Sequence, residues 1–185
     1  VASHLSRYHS SAVKYGKDSI GRIIPILRKQ ANAVLTRRKV AKRQYHFFPV
    51  GFKKLIIEVN VDGVRFFLVH LALQRSIRQR QLDFLAELVG DDGPRIVAGD
   101  FNTLSGVWEM RMFLRATGLK SANAGHSPTF PSWAPCRELD FICHDPSITP
   151  VRFKIPKVRL SDHLPLMFDF ETAAAPARPT ADDGH

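Results

Sequence analysis

The segment RIVAGDFNTLSG, Arg95 to Gly106, runs an apolar triplet into a glycine and then presents an aspartate and an asparagine. Residues two apart on a strand point to the same side, so Asp100 and Asn102 are placed to converge on one ligand. Alone, the segment reads equally well as a strand ending in a turn, because Gly, Asp and Asn are the usual turn formers. Other polar residues follow the same plan. His70 ends FFLVH, Asp140 is embedded in ELDFIC, and Asp162 and His163 precede LPLMFDF. A strand-end histidine is commonly structural, and an Asp-His pair ahead of a proline is commonly a turn. An acid inside LDFI is harder to dismiss, because a buried carboxylate needs a partner. Two histidines, three acids and an amide at one sheet rim suit phosphoester hydrolysis. That reaction needs a divalent ion to offset phosphate charge, a base to activate water, and donors to stabilise the pentacovalent oxyanion.

The surrounding pattern predicts the elements that hold these residues. Residues 1–30 read as helix followed by loop, and NAVLT from Asn32 as a short strand. KLIIEVNVDGVRFFLVHL contains two β-rich runs split by Asp62-Gly63, a two-residue hairpin signal. Leu55, Ile57, Val59 and Val61 alternate with Ile56, Glu58 and Asn60, and Glu58 is read as solvent-facing. The run Phe66 to Val69 is apolar on both faces and belongs deep in a core. Leu82, Leu85, Leu88 and Val89 fall at helical spacing, with Arg and Gln on the opposite side and Gly90 as the stop. GVWEMRMFLRATG reads as a second amphipathic helix, and LDFIC, Val151 to Ile155 and Leu164 to Phe170 as strands. Strands and helices in mixed order indicate a layered α/β or α+β domain.

At 185 residues, 44% of them hydrophobic, the chain is long enough for one domain with a real core. No run of about 18 apolar residues interrupts it, which argues against a membrane span. Cys136 and Cys143 form no CxxC, so reduced thiols and a cytoplasmic setting are expected. The +10 formal charge lies wholly in residues 1–50, which carry 11 Lys/Arg against one acid, Asp18. Arg37, Arg38, Lys39, Lys42 and Arg43 cluster tightly there, a pattern that suggests a polyanionic partner such as nucleic acid or an anionic membrane surface, or else simply a solvated basic face. TAAAPARPTADDGH reads as a disordered tail over residues 172–185.

GDFN, LDFI and SDHLP, in that order behind a strand-end VHL, resemble the DNase I-like endonuclease/exonuclease/phosphatase superfamily. NAVLTRR is similar to the segment before that family's central hairpin, and TFPSW to its substrate-side loop. The resemblance covers about residues 30–170 within a domain taken as 1–171. It implies an α/β (α+β) fold, a sandwich of two mixed β-sheets flanked by helices, with the site at one end. It also implies roles: Asp100 activates water or protonates the leaving oxygen, and Asn102 holds phosphate and metal-bound water. His70 and His163 donate to the scissile phosphate, and Asp140 orients His163 as in a catalytic triad. Asp162 becomes a ligand to Mg²⁺ or Mn²⁺. Arg37, Arg38, Lys39 and Trp133 are expected to touch substrate. The family's opening strands, one with an Asn and one ending in a metal-binding Glu, have no counterpart upstream of His70, so an N-terminally incomplete domain is expected, as the first residue Val1 also suggests. The resemblance thus implies a Mg²⁺-dependent phosphoesterase, expected to be monomeric. The leading reading is a phosphodiesterase or nuclease working by in-line attack of an activated water, with an inositol phosphate or a phospholipid as the alternative substrate. The alternative is an anion-binding chain without turnover.

Overall fold

The computed structural model describes residues 8–13, 31–51, 55–104 and 106–172. Two of the strands in it are the hairpin read from the sequence. They are β4 (Leu55–Val61) and β5 (Val64–His70), joined at Asp62 and Gly63 with φ of 50° and 83°. Both values lie in the left-handed region, which this tight turn requires and which Asp and Gly tolerate. Around the hairpin the strands β1 (Tyr8–Val13), β2 (Ala31–Thr36) and β3 (Val40–Phe47) come first in the chain. Helix α1 (Arg75–Val89) then leads to β6 (Arg95–Asp100), and α2 (Trp108–Thr117) to β7 (Lys120–Ser121). The strands β8 (Asp140–His144), β9 (Ile148–Lys154) and β10 (Met167–Thr172) follow.

Six strands form one mixed sheet in the order β3-β4-β5-β6-β8-β7. Its β5–β6 pair is parallel, with α1 as the crossover, and its other pairs are antiparallel. One face carries the helices. Phe67, Val69, Val97, Phe141 and Cys143 from the strands pack there with Leu82, Leu85, Val89, Met110 and Phe113. The opposite face packs Leu55, Ile57 and Val59 with Val34, and Ile96 with Ile148, Phe168 and Phe170. Those partners come from two antiparallel pairs, β1–β2 and β9–β10. The α/β sandwich is therefore the observed architecture, and its second layer is two small ribbons.

Three readings change. Tyr8–Val13 is a strand, where a helix was expected, and the remainder of residues 1–30 lies outside the described residues, as do residues 173–185 of the expected tail. Glu58 is buried, with its carboxylate 2.7 Å from His46 Nε2 and 2.9 Å from Arg65 Nε. Alternation along β4 predicted the side it faces but not the neighbours, His46 on β3 and Arg65 on β5, that satisfy a buried charge there. On α1 the polar side is not wholly solvated, because Arg78 and Gln81 are fully buried.

Arg78 gives a guanidinium hydrogen bond of 2.9 Å to Glu109 on α2 and donates to the carbonyls of Ala72 and Leu73. Gln81 accepts from the Ala72 N–H and donates to the Val50 carbonyl. Both side chains thus fix the segment that follows His70.

Gly99 has a requirement of its own. Its φ is 144°, and a Cβ there would collide with the Val69 carbonyl oxygen and stand 2.9 Å from the carbonyl carbon. The alanine variant must therefore strain the backbone and part β5 from β6 one residue short of the site. Gly99→Ala is expected to cost roughly 2–4 kcal/mol, read as a fall in the urea midpoint at unchanged m-value.

Candidate active site

Chain direction brings the first three residues together. His70 and Asp100 are the last residues of parallel strands, and Asp140 is the first residue of a strand antiparallel to them. All three therefore reach the same end of the sheet. The register aligns them in a row, His70 opposite Asp100 and Asp100 opposite Asp140. Adjacent strands are about 4.8 Å apart, which sets the spacing of the row. Period-two alternation puts all three on the face away from the helices, since Val69, Gly99 and Phe141 take the other side. His70 Nε2 is 3.4 Å from Asp100 Oδ2.

His163 arrives from the loop before β10 and joins the row at Asp140, with Nδ1 2.7 Å from Asp140 Oδ2 although the two are 23 positions apart. That bond assigns the Nδ1 proton to the carboxylate side and leaves Nε2 for the cavity. Thr129, fully buried, gives its hydroxyl to the same Asp140 oxygen at 2.6 Å. The Phe130 ring lies 4.9 Å from the His163 ring. The Ser132 N–H and hydroxyl hold the carbonyls of Asp162 and Ser161, and the Leu164 N–H is held by the Thr129 carbonyl. TFPSW, expected to face substrate, lines the cavity through Phe130 and also braces the His163 loop. Thr129 and Ser132 were missed by the sequence reading, because hydroxyls in a proline-rich loop carry no periodic signal.

His70, Asp100, Asn102, Asp140, Asp162 and His163 all border one cavity of about 480 Å³, with apolar walls that include Leu73 and Leu104. Burial disfavours a charged imidazole, but the Asp140 hydrogen bond and the negative charges of Asp140, Asp100 and Asp162 outweigh it. The His163 pKa consequently stands above the ordinary histidine value.

Asn102 lines the cavity and is anchored to its neighbours. Its φ is 52° and its backbone N–H donates to Asp100 Oδ1 at 2.9 Å. Its amide gives one hydrogen to the Leu71 carbonyl at 2.9 Å and the other to Asp100 Oδ2 at 3.0 Å. Both amide hydrogens are thus engaged by the protein, and the residue holds Asp100 in place. Among the described residues, the Asp100 and Asp140 carboxylates and the His163 ring offer ligand atoms within 4.8 Å of one another. Asp162 borders the cavity but stands outside that group.

The expected substrate contacts at Arg37, Arg38 and Lys39 are not brought to the site. They occupy the β2–β3 turn, and Arg38 pairs with Asp62 of the hairpin turn at 2.9 Å. That turn begins β5, whereas His70 ends it, so the cluster lies about 20 Å from the cavity by strand rise. Trp133 is exposed in the bracing loop and is not among the residues lining the cavity.

Solved structures share this architecture at low identity. A protein of Beutenbergia cavernae DSM 12333 described as endonuclease/exonuclease/phosphatase matches with TM-score 0.66 and 19% identity, over 77% of this chain and 47% of its own. The mannosyl-6-phosphatase of Bacteroides thetaiotaomicron VPI-5482 matches with TM-score 0.62 and 15% identity, over 88% of this chain and 77% of its own. D. rerio TDP2 complexed with a single-strand DNA product matches with TM-score 0.59 and 20% identity, over 77% of this chain and 72% of its own. The chain spans about half the length of the first of these, 47%. No curated protein matches the sequence. The sequence profile that does match runs over residues 5–163, nearly the whole sandwich and every residue of the row, and by it the chain belongs to the Endonuclease/Exonuclease/phosphatase family.

Proposed function

We propose that the chain hydrolyses a phosphodiester by direct attack of water, with Asp100 as base and His163 as hydrogen-bond donor to the phosphoryl oxygens. The observation that carries this reading is the His163–Asp140–Thr129 chain of hydrogen bonds beside Asp100 in one cavity. A carboxylate and a charge-stabilised imidazole on one wall supply opposite proton functions to a bound phosphoester. The water oxygen forms the new P–O bond while its proton passes to Asp100, which Asn102 holds from two sides. His163 Nε2–H donates to an oxygen of the phosphoryl group, where negative charge develops. The bond to the leaving oxygen breaks, and that oxygen takes its proton from solvent. His70, beside Asp100, is a second donor toward the phosphate.

The carboxylate-rich donor set fits Mg²⁺ or Mn²⁺, which prefer oxygen ligands. Asp140 uses Oδ2 for its bonds to His163 and Thr129, so Oδ1 remains to it as a ligand atom. Asp100 and Asp140 would hold such an ion, with Asp162 at the cavity wall. When bound, it would offset phosphate charge and polarise the ester. Phosphatase and DNA-product descriptions among the structural relatives support the same chemistry.

The test is hydrolysis of bis(p-nitrophenyl) phosphate and p-nitrophenyl phosphate with Mg²⁺, with Mn²⁺ and after EDTA. Turnover of the diester, raised by a divalent ion and lowered at least about 100-fold by Asp100→Asn, is expected. Absence of turnover under every condition would overturn the reading.

A further inference from the structure

A second concavity lies at the starts of the two helices that follow His70 and Asp100 in the chain, and it has no part in the proton chemistry. It is a groove of about 600 Å³ between the start of α1 and α2, lined by Gln74, Arg75, Ser76, Gln79, Trp108 and Met112. Leu73 lines the cavity and the next residue in the chain, Gln74, lines the groove. Leu104 lines the cavity in the same way, four residues before Trp108. In the groove the Arg75 guanidinium lies 5.0 Å from the centre of the Trp108 ring. Trp108 and Met112 remain 41% and 54% exposed, a large apolar surface to leave in water beside a catalytic cavity.

We propose that this groove is a subsite for an aromatic base attached to the phosphoester, with Trp108 and Arg75 as its stacking platform. The inference rests on the phosphodiesterase reading and extends it to a substrate class, base-bearing phosphodiesters. A flat heterocycle gains by stacking on a guanidinium plane that is itself held over an indole, or on the exposed indole surface beside it. Charge agrees, because Arg75 is the charged lining residue and no acid shares the groove with it. The lining also separates a base from an acyl chain. Gln74, Ser76 and Gln79 offer amides and a hydroxyl that the edges of a base can pair, whereas a hydrocarbon would cover them without hydrogen bonds.

The sequence holds two tryptophans, so Trp133→Phe leaves Trp108 as the sole indole fluorophore. In that variant, titration with AMP is expected to quench Trp108 saturably, and ribose 5-phosphate, which lacks the base, is expected to leave it unquenched. Equal quenching by both, or none by AMP, overturns the subsite. A blue shift with phosphatidylcholine vesicles and no response to AMP overturns it in favour of an acyl chain. In turnover, Trp108→Ala and Trp108→Phe are compared on an oligodeoxynucleotide and on its abasic counterpart. The ratio of kcat/KM between the two substrates should fall about 5- to 100-fold in the alanine variant and less in the phenylalanine one. An unchanged ratio overturns the proposal. AMP quenching without hydrolysis of any diester would keep the subsite and refute the hydrolytic reading instead.

Discussion

Asp140→Asn is expected to lower diester turnover roughly 10²- to 10⁴-fold and to move the alkaline limb of the pH–rate profile to lower pH. The size follows from its position. Asp140 fixes the His163 tautomer and supplies the nearest negative charge that raises its pKa. The direction follows from the form that works. His163 donates as imidazolium, so rate falls as pH rises through its raised pKa. Asparagine removes the charge, and the fall then begins at lower pH. Stability follows the same sign. The stabilisation from this pair is fully present below the ordinary histidine pKa, about 6.5, and is lost as pH rises through the raised folded value. Urea denaturation of wild type and variant at pH 6 and pH 9 reads that loss. A variant with an unmoved profile would separate Asp140 from the proton chemistry.

Glu109→Ala is expected to destabilise the fold by about 3–5 kcal/mol, because it leaves the Arg78 guanidinium buried without its countercharge. Both side chains are fully buried, and Glu109 is the carboxylate that Arg78 meets across the two helices. The effect extends to function, since Arg78 also holds the Ala72 and Leu73 carbonyls beside the cavity wall. Exchange of both residues for apolar ones, Arg78→Met with Glu109→Leu, should recover much of the stability, because no charge is then left unpaired. Thermal and urea unfolding of the single and double variants checks the ordering. A single variant as stable as wild type would contradict it.

How much of this was legible in the sequence differs residue by residue. The strand ends were legible because apolar runs that stop at His70 and Asp100 can lie only at a sheet rim. The hairpin at Asp62-Gly63 was legible because few residue pairs adopt two positive φ angles. The Asp140–His163 bond came through resemblance alone, since nothing local in ELDFIC or SDHLP points one at the other. Other features depend on partners far away in the chain. Glu58 looked solvated until His46 and Arg65 stood on the strands beside it, and Arg78 looked solvated until Glu109 crossed from α2. Thr129 bonds Asp140 from a loop with no periodicity. The basic cluster's place on the β2–β3 turn was not legible, because charge reports a surface and not its distance from a site.

A double-mutant cycle on Asp140 and His163 tests the central claim most directly, that these side chains act as one unit on the phosphoester. It compares kcat/KM for a phosphodiester in wild type, Asp140→Asn, His163→Ala and the double variant. If Asp140 acts chiefly through His163, the loss in the double variant stays far below the product of the two single losses, so the two are strongly non-additive. Losses that multiply would mean that the two residues work independently, and would contradict the account.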